Sequence, residues 1–178
     1  MQRSSWPRTA MCWQRGALTL TLAGGDTAAA EKLASELERS LPLDTLVQRY
    51  LLPAIRAAVA LQRKDPKSAV ELLQGTGPIE LGDNGDLSPI CLRGEAYLML
   101  RDGNAAAAEF QKFIDHRGRA GNFPWGALAR LQLARACVLS GDTTKAKIAY
   151  RDFLTFWRDA DPNIPMLKQA RSVYAGLN

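Results

Sequence analysis

Apolar residues recur along most of the chain at the three- and four-residue intervals of an amphipathic α-helix. Ala and Leu outnumber Val and Ile, and no stretch alternates cleanly between apolar and polar positions as a half-buried strand does. Asp65-Pro66 has the form of a helix start, and Gly103 and Gly141 stand where helices are expected to stop. The pattern therefore predicts an all-α protein with helices near 10–23, 27–40, 43–63, 66–74, 88–101, 104–116, 124–140, 143–158 and 164–176.

Two segments interrupt the helical pattern. Residues 75–87 form the longer one and are rich in Gly, Asn and Asp, and residues 115–124 form the other. This composition is typical of turns, so we predict that both segments are irregular surface loops.

The helical pattern repeats itself at an interval of about 40 residues. In the second half of the chain, Ala106, Phe110 and Phe113 correspond to Ala146, Tyr150 and Phe153, while Gly94, Tyr97 and Asp102 correspond to Ala134, Cys137 and Asp142. In the first half, Ala29 and Leu33 correspond to Ala69 and Leu73, and Ala17 and Leu20 to Ala57 and Ala60. Each unit reads as one helix, a short turn with Gly or Asp, and a second helix.

Small residues at matching places indicate how each pair of helices packs. Gly94 opposite Ala106, and Ala134 opposite Ala146, would allow two antiparallel helices to approach closely. A single hairpin cannot bury its apolar face alone, so successive units are expected to stack into a solenoid. The predicted organisation is an irregular or non-native segment 1–15 and a single domain 16–178, with units near 10–42, 43–87, 88–123 and 124–162 and a capping helix 163–178.

The third unit resembles the tetratricopeptide repeat, whose pattern is W-x2-L-G-x2-Y followed by Ala and an aromatic residue. The matching residues are Ile90 in the Trp position, Gly94, Tyr97, Ala106 and Phe110, with Arg93 in the Leu position. The other units keep part of the pattern, namely Leu133, Ala146 and Tyr150 in the fourth, Trp13, Ala29 and Leu33 in the first, and Ala57, Ala69 and Leu73 in the second. The interval also exceeds the family's period of about 34 residues.

This resemblance implies a right-handed α-solenoid of about four antiparallel helix hairpins that binds a protein or peptide on its concave surface. Carried onto this chain, the family register places the concave surface at Ala58, Gln62, Glu95, Leu98, Met99, Arg135 and Val138. Arg135 is the strongest single candidate, because a helical arginine between two alanines could bind a partner carboxylate with both of its terminal nitrogens. Glu95 could instead neutralise it.

Residues 17–177 also resemble the repeat region that follows the catalytic or DNA-binding domain in bacterial eukaryotic-like Ser/Thr kinases and winged-helix regulators. The segments that carry this likeness are 110–118, 149–154 and 157–162. The resemblance implies a sensory or scaffolding module of a larger signalling protein. The chain itself has no glycine-rich loop and no H-R-D or D-F-G motif of a kinase.

Composition narrows the chemistry that such a module could perform. The 178 residues include one His and three scattered cysteines, Cys12, Cys91 and Cys137, which do not have the spacing of a disulfide framework or a zinc site. No P-loop, dinucleotide fingerprint or nucleophile elbow is present. We therefore expect no enzyme activity, no catalytic or metal site and no cofactor. The cysteine usage favours a cytoplasmic protein, and no apolar run reaches the ~20 residues of a membrane span.

The charge balance leaves alternatives open. There are 23 Lys and Arg against 18 Asp and Glu, which gives a net charge of +5. His116, Arg117 and Arg119 could bind a phosphate or carboxylate together, but residues of these types at a helix end more often bond free carbonyls. Because the other basic residues are interspersed with acids, nucleic-acid binding is the weaker expectation. We expect a protein or peptide partner of acidic character, and we expect the chain to be a monomer or a weak homodimer. A further alternative is that the chain is a structural spacer or a dimerisation segment of a larger protein.

Overall fold

A computed structural model describes residues 25–82, 86–119 and 125–177, and all regular structure within these ranges is helical. The all-α prediction is confirmed for them. The chain divides into two compact units, Met1–Asn84 and Gly85–Asn178, and each is described by itself. The predicted segment 1–15, the helix 10–23 and the matching residues Ala17 and Leu20 lie outside the described residues. The prediction of one continuous domain stays a prediction.

The first unit packs successive helices against one another. Helix α1 (Thr27–Ser40) lies against α2 (Leu52–Gln62), and α2 against α3 (Pro66–Leu73). The core consists of the inward faces of α1, α2 and the π-helical segment between them, and it includes Leu37, Tyr50, Leu52 and Ile55. The elements are α1 (Thr27–Ser40), a π-helical segment (Val47–Leu51), α2 (Leu52–Gln62), α3 (Pro66–Leu73), a 3-10 turn (Gln74–Thr76) and α4 (Gly77–Glu80).

The predicted helix 43–63 begins later and contains a widened turn. Leu43 lies in a turn and is 94 % exposed. In the π segment, the Leu52 N–H donates to the Val47 carbonyl, one residue further back than in an α-helix. Pro53 follows in the first turn of α2. Proline has no N–H and its ring collides with the carbonyl one turn earlier, so a wider turn before it relieves the conflict.

The prediction that residues 75–87 form an irregular surface loop is wrong over residues 76–80. Thr76 and Glu80 are fully buried there. The Thr76 hydroxyl donates to Glu80 Oε1 at 2.6 Å and lies 2.8 Å from the Leu73 carbonyl. The glycine-rich composition predicted a loop because Gly and Asn favour turns. A buried hydrogen-bond network can nevertheless hold such a segment in short helical turns.

The second unit is more regular. Each helix lies against the next one in the chain, and α5 (Ser88–Met99) also contacts α7 (Trp125–Ser140). Its apolar clusters include one around Phe110 and Ala136 and another around Tyr150, Phe153 and Leu167. Its elements are α5 (Ser88–Met99), α6 (Gly103–Asp115), a 3-10 turn (Arg117–Arg119), α7 (Trp125–Ser140), α8 (Thr143–Phe156) and α9 (Pro165–Gly176).

The same turn precedes α1, α3, α6 and α8. Its first residue has a left-handed φ, namely 67° at Gly25, 63° at Lys64, 61° at Arg101 and 80° at Gly141. The following aspartate caps the next helix by accepting from the backbone N–H three residues on, as Asp26, Asp65, Asp102 and Asp142 all do. In the last three turns the aspartate N–H also bonds the carbonyl five residues earlier at 2.9 Å, which is the Schellman bond.

These turns correct the repeat register in the first unit by one residue. Counting from each capping aspartate, the fourth residue is a fully buried alanine in every case: Ala30, Ala69, Ala106 and Ala146. The predicted partners Ala29 and Leu33 are only half-buried, and Ala30 and Ala34 take their places. The offset is 39 residues between Asp26 and Asp65 and 40 between Asp102 and Asp142, so one fixed interval misaligns the first half.

Two glycines in the second unit mark close approaches that differ from those predicted. A Cβ on Gly94 would lie 2.7 Å from the Phe110 ring, so Phe110 covers the small position that we had paired with Ala106. Gly103 does not stop a helix, because Arg101 takes the left-handed position and Gly103 begins α6. A Cβ there would lie 2.5 Å from the Ser140 nitrogen and 2.7 Å from the Ala136 carbonyl oxygen of α7.

The last helix lies against α8, and Leu167, Ala170, Val173 and Tyr174 face the neighbouring cluster as their spacing predicted. None of the helices in the described ranges has both the length and the apolar character that a bilayer span needs.

Candidate binding surface

A chain of polar side chains connects α5, α7 and α9 in the second unit. Gln132 Nε2 donates to Glu95 Oε1. Arg135 Nη1 donates to Gln132 Oε1 at 3.0 Å, and Arg135 Nη2 donates to Gln169 Oε1 at 2.8 Å. Gln132 and Arg135 lie three residues apart on α7 and therefore share one side of the helix. We call the surface formed by Glu95, Gln132, Arg135, Val138 and Gln169 the Arg135 face.

Arg135 carries a charge that no carboxylate neutralises directly. In the described part of the chain, its hydrogen-bond acceptors are two neutral amide oxygens, and no Asp or Glu oxygen lies within ion-pair distance. Glu95 is one side chain removed, behind Gln132. Burial raises the pKa of the Glu95 carboxyl, while the Gln132 hydrogen bond and the Arg135 charge act in the opposite direction. Glu95 therefore makes no ion pair with Arg135 in the described chain, although the charge of Arg135 acts on its carboxyl.

An apolar cleft adjoins the Arg135 guanidinium. Its volume is about 300 Å³. Val138 is 42 % exposed at its rim, whereas Tyr150 is buried at its base. We call it the Arg135 cleft; its walls are Leu131, Arg135, Val138, Tyr150, Gln169, Ala170 and Val173. A charged donor beside an apolar depression suits an acceptor that carries an apolar group next to it.

The other predicted surface residues have mixed placements. Leu98 is half-buried against the Phe110 cluster, and Met99 is 38 % exposed at the end of α5. In the first unit, Gln62 is exposed, but Ala58 is fully buried. The side chain of Ala58 therefore has no surface to offer a partner, because α2 is covered on that side.

Two members of the surface were missed from the sequence. Gln132 could have been found, since it precedes Arg135 by one helical turn. Gln169 lies 34 residues from Arg135 and reaches it only through the packing of α9, so no local pattern indicates it.

The buried arginine Arg93 has a structural role in this unit. Arg93, which occupies the Leu position of the family pattern, is 8 % exposed and binds Glu109 with Nε at 3.0 Å and Nη2 at 2.9 Å. This two-pronged pair joins α5 to α6. Both charges are engaged, so the pair offers little to a ligand.

The reactive side chains are placed as structural groups. Cys91 and Cys137 are buried, and burial raises the pKa of each thiol. His116 Nδ1 lies 2.8 Å from the Lys112 carbonyl and Arg117 Nη1 lies 3.4 Å from the Ile114 carbonyl, as expected at a helix end. Within the ranges that the structure covers, no three His, Cys, Asp or Glu side chains cluster closely enough to hold a metal ion. Cys12 lies outside those ranges.

Comparison with known proteins found no matching family model, no matching curated protein and no matching solved structure.

Proposed function

We propose that this chain is a protein–protein interaction or scaffolding module that binds a protein or peptide partner through the Arg135 face. The observation that carries the proposal is the state of Arg135, a helical cation whose two donors meet only amide oxygens beside an open apolar cleft. A partner carboxylate that replaced the Gln169 amide would form a charge-assisted pair, which is shorter and stronger than the bond it replaces.

The cleft supplies the second half of the recognition. A residue next to the bound carboxylate would place its apolar side chain between Val138, Ala170 and Val173. Apolar contact adds affinity, whereas the arginine sets orientation and selects acidic partners. An acidic peptide with apolar residues is therefore the kind of partner that the surface fits.

The repeated turns support a right-handed solenoid of the tetratricopeptide kind. Four turns share one left-handed position and one aspartate cap, and a buried alanine follows each at the same distance. Successive helices of each unit pack on one another, as in repeat proteins. The resemblance to the repeat regions of bacterial kinases and winged-helix regulators supports a regulatory role. The cytoplasmic location, the monomeric or weakly dimeric state and the lack of catalysis stay predictions from composition.

Site-specific photo-crosslinking tests the proposal. The full chain would carry benzoylphenylalanine at position 138 in the Arg135 cleft or, for reference, at position 43, where the first unit exposes Leu43. We expect discrete protein adducts in a cell extract from position 138 and none of the same mass from position 43.

The charge requirement is tested in the same assay. Arg135→Gln should remove the adducts of position 138, while Arg158→Gln, at an exposed arginine paired with Asp159, should leave them unchanged. Adducts that form equally from both positions, or that persist with Arg135→Gln, would contradict the proposal.

A further inference from the structure

A second cleft in the same unit lies between α6, α7 and α8. Its volume is about 260 Å³, and it shares no lining residue with the Arg135 cleft. Ile114, Leu133 and Ile148 line it with apolar surface, and Arg130, Lys145 and Asp152 place charge there. We call it the Arg130 cleft.

Arg130 is held in place by an exposed aromatic ring. Its guanidinium carbon lies 4.3 Å from the centroid of Phe156, whose side chain is 68 % exposed at the end of α8. Stacking fixes the plane of the guanidinium and leaves its edge free to donate. The hydrogen bond that it makes in the described chain is a long one of 3.4 Å from Nη1 to the Gly126 carbonyl.

The charges around this cleft do not balance. In the chain as described, no carboxylate lies within ion-pair distance of Arg117 or Arg130. The acids nearby already have partners in the described chain. Asp152 lies 3.6 Å from Arg151, Asp142 lies 3.5 Å from Lys145, and Asp115 accepts a hydrogen bond from Gln111 at 2.8 Å. Partial burial and the Arg117 charge lower the pKa of Arg130, and Asp152 opposes them. Two arginines thus repel each other beside an apolar depression.

We propose that the Arg130 cleft binds an acidic segment of a partner protein, with a carboxylate on Arg130 and a neighbouring apolar side chain on Ile114, Leu133 and Ile148. The inference is independent of the Arg135 face. A carboxylate would use the free edge of the guanidinium and relieve its repulsion with Arg117. Aromatic residues and arginine are also enriched at the cores of protein interfaces.

The apolar lining favours a protein segment over a nucleic acid. Ile114, Leu133 and Ile148 suit an apolar side chain, whereas strand binding stacks bases on free aromatic faces, and Arg130 occupies one face of the Phe156 ring. The volume suits one or two side chains.

Fluorescence anisotropy with a defined probe tests the inference on the full chain. The probe is the labelled peptide acetyl-Glu-Leu-Asp-Phe-Glu-Leu-Asp-amide, which presents an acid next to an apolar residue in several registers. Its control replaces every Glu and Asp by Gln and Asn. We expect the acidic peptide to bind about tenfold more tightly than the amide peptide. Because the Arg135 face would bind the same probe, we expect Arg130→Gln to remove that difference in a chain that already carries Arg135→Gln.

Matched variants show where on the chain the peptide binds. Arg158→Gln should leave the affinity unchanged, and Ile148→Ser should weaken it while backbone amide NMR spectra report an intact fold. Equal binding of the two peptides, or no binding, would overturn the inference. Weakening by Arg135→Gln but not by Arg130→Gln would place the peptide on the Arg135 face and overturn it too. So would labelled oligothymidylate that binds more tightly than the peptide and loses affinity with Arg130→Gln.

Discussion

The two units use the same turns but fill their interiors differently. Eight and eleven residues after each capping aspartate, every side chain is buried. In the second unit these positions are aromatic, and in the first they are small, aliphatic or polar. The second unit has Phe110, Phe113, Tyr150 and Phe153 there, and the first has Ala34, Leu37, Leu73 and Thr76.

The comparison separates two kinds of information in the sequence. The turn depends on local backbone chemistry, since a left-handed residue and an aspartate recur whatever packs behind them. The interior depends on volume, because a large ring needs a small partner. Gly94 lies under Phe110, whereas the equivalent pair in the first unit is Ala57 and Leu73. Repeats can therefore keep the same turns while the small residue and the large core side chain that packs on it change together.

The largest expected effect comes from Gly103→Ala. Its Cβ would lie 2.5 Å from a backbone nitrogen and 2.7 Å from a carbonyl oxygen of α7, and backbone cannot rotate away. The equivalent residues of the other turns, Thr27, Pro66 and Thr143, all have a Cβ, so the close approach belongs to the turn before α6 alone. We expect the free energy of unfolding, measured in urea, to fall by about 3 kcal/mol. Gly126→Ala, where nothing lies within 4 Å, is the matched control and should not destabilise. Equal stability of both variants would refute this packing.

The packing of Phe110 on Gly94 gives the sharpest test of whether such core positions change in pairs. Gly94→Ala should cost about 2 kcal/mol, because the new methyl group meets a buried ring. Adding Phe110→Leu to the same chain introduces the residue type of Leu73 in the first unit, and it should recover part of this loss of stability. A double-mutant cycle of urea unfolding measures the coupling, and additive effects would mean that the two positions are independent.

The shared turns should respond alike in both units. Asp65→Ala and Asp142→Ala each remove the side-chain acceptor of a helix N-terminus, at 3.1 Å and 3.0 Å respectively. We expect each substitution to cost about 1 kcal/mol in thermal or urea unfolding. Asp159→Ala, at an exposed aspartate whose side chain accepts from Arg158, serves as the reference. A loss confined to one unit would show that the turns are alike in geometry only.

The smallest expected effect is a change in the titration of the Asp65 cap. The Ser68 hydroxyl, and then its backbone N–H, lower the pKa of Asp65. A lowered folded-state pKa stabilises above the unfolded-state value, and that contribution is lost as the pH falls through the folded-state pKa. Ser68→Ala should raise the pKa of Asp65 and move this loss to higher pH. Carboxyl NMR measures the shift, and an unchanged titration would rule out the hydroxyl as its cause.

The turns and most helices could be predicted because their signals are local. Asp65-Pro66, Gly141 and the apolar intervals of 88–176 each specify structure within a few residues. The sequence did not predict the widened turn before Pro53 or the buried pair Thr76 and Glu80. Each of these features depends on the side chains that pack around the segment. The same limit applies to the binding surface. Arg135 was found from its place on a helix, but its contact with Gln169 exists only because α9 folds onto α7 and α8.

The packing of each helix on its chain neighbour has a kinetic consequence. Contacts between neighbours close short loops, and proteins rich in such contacts fold in microseconds to milliseconds. In the second unit, α9 lies against α8, and Leu167 and Ala170 are its buried residues. Because α5 and α6 pack on each other and on α7, opening of α9 leaves their contacts in place. Amide hydrogen exchange would then be fastest in the helix that carries Gln169, so Arg135 would lose its amide partner before the rest of the unit opens.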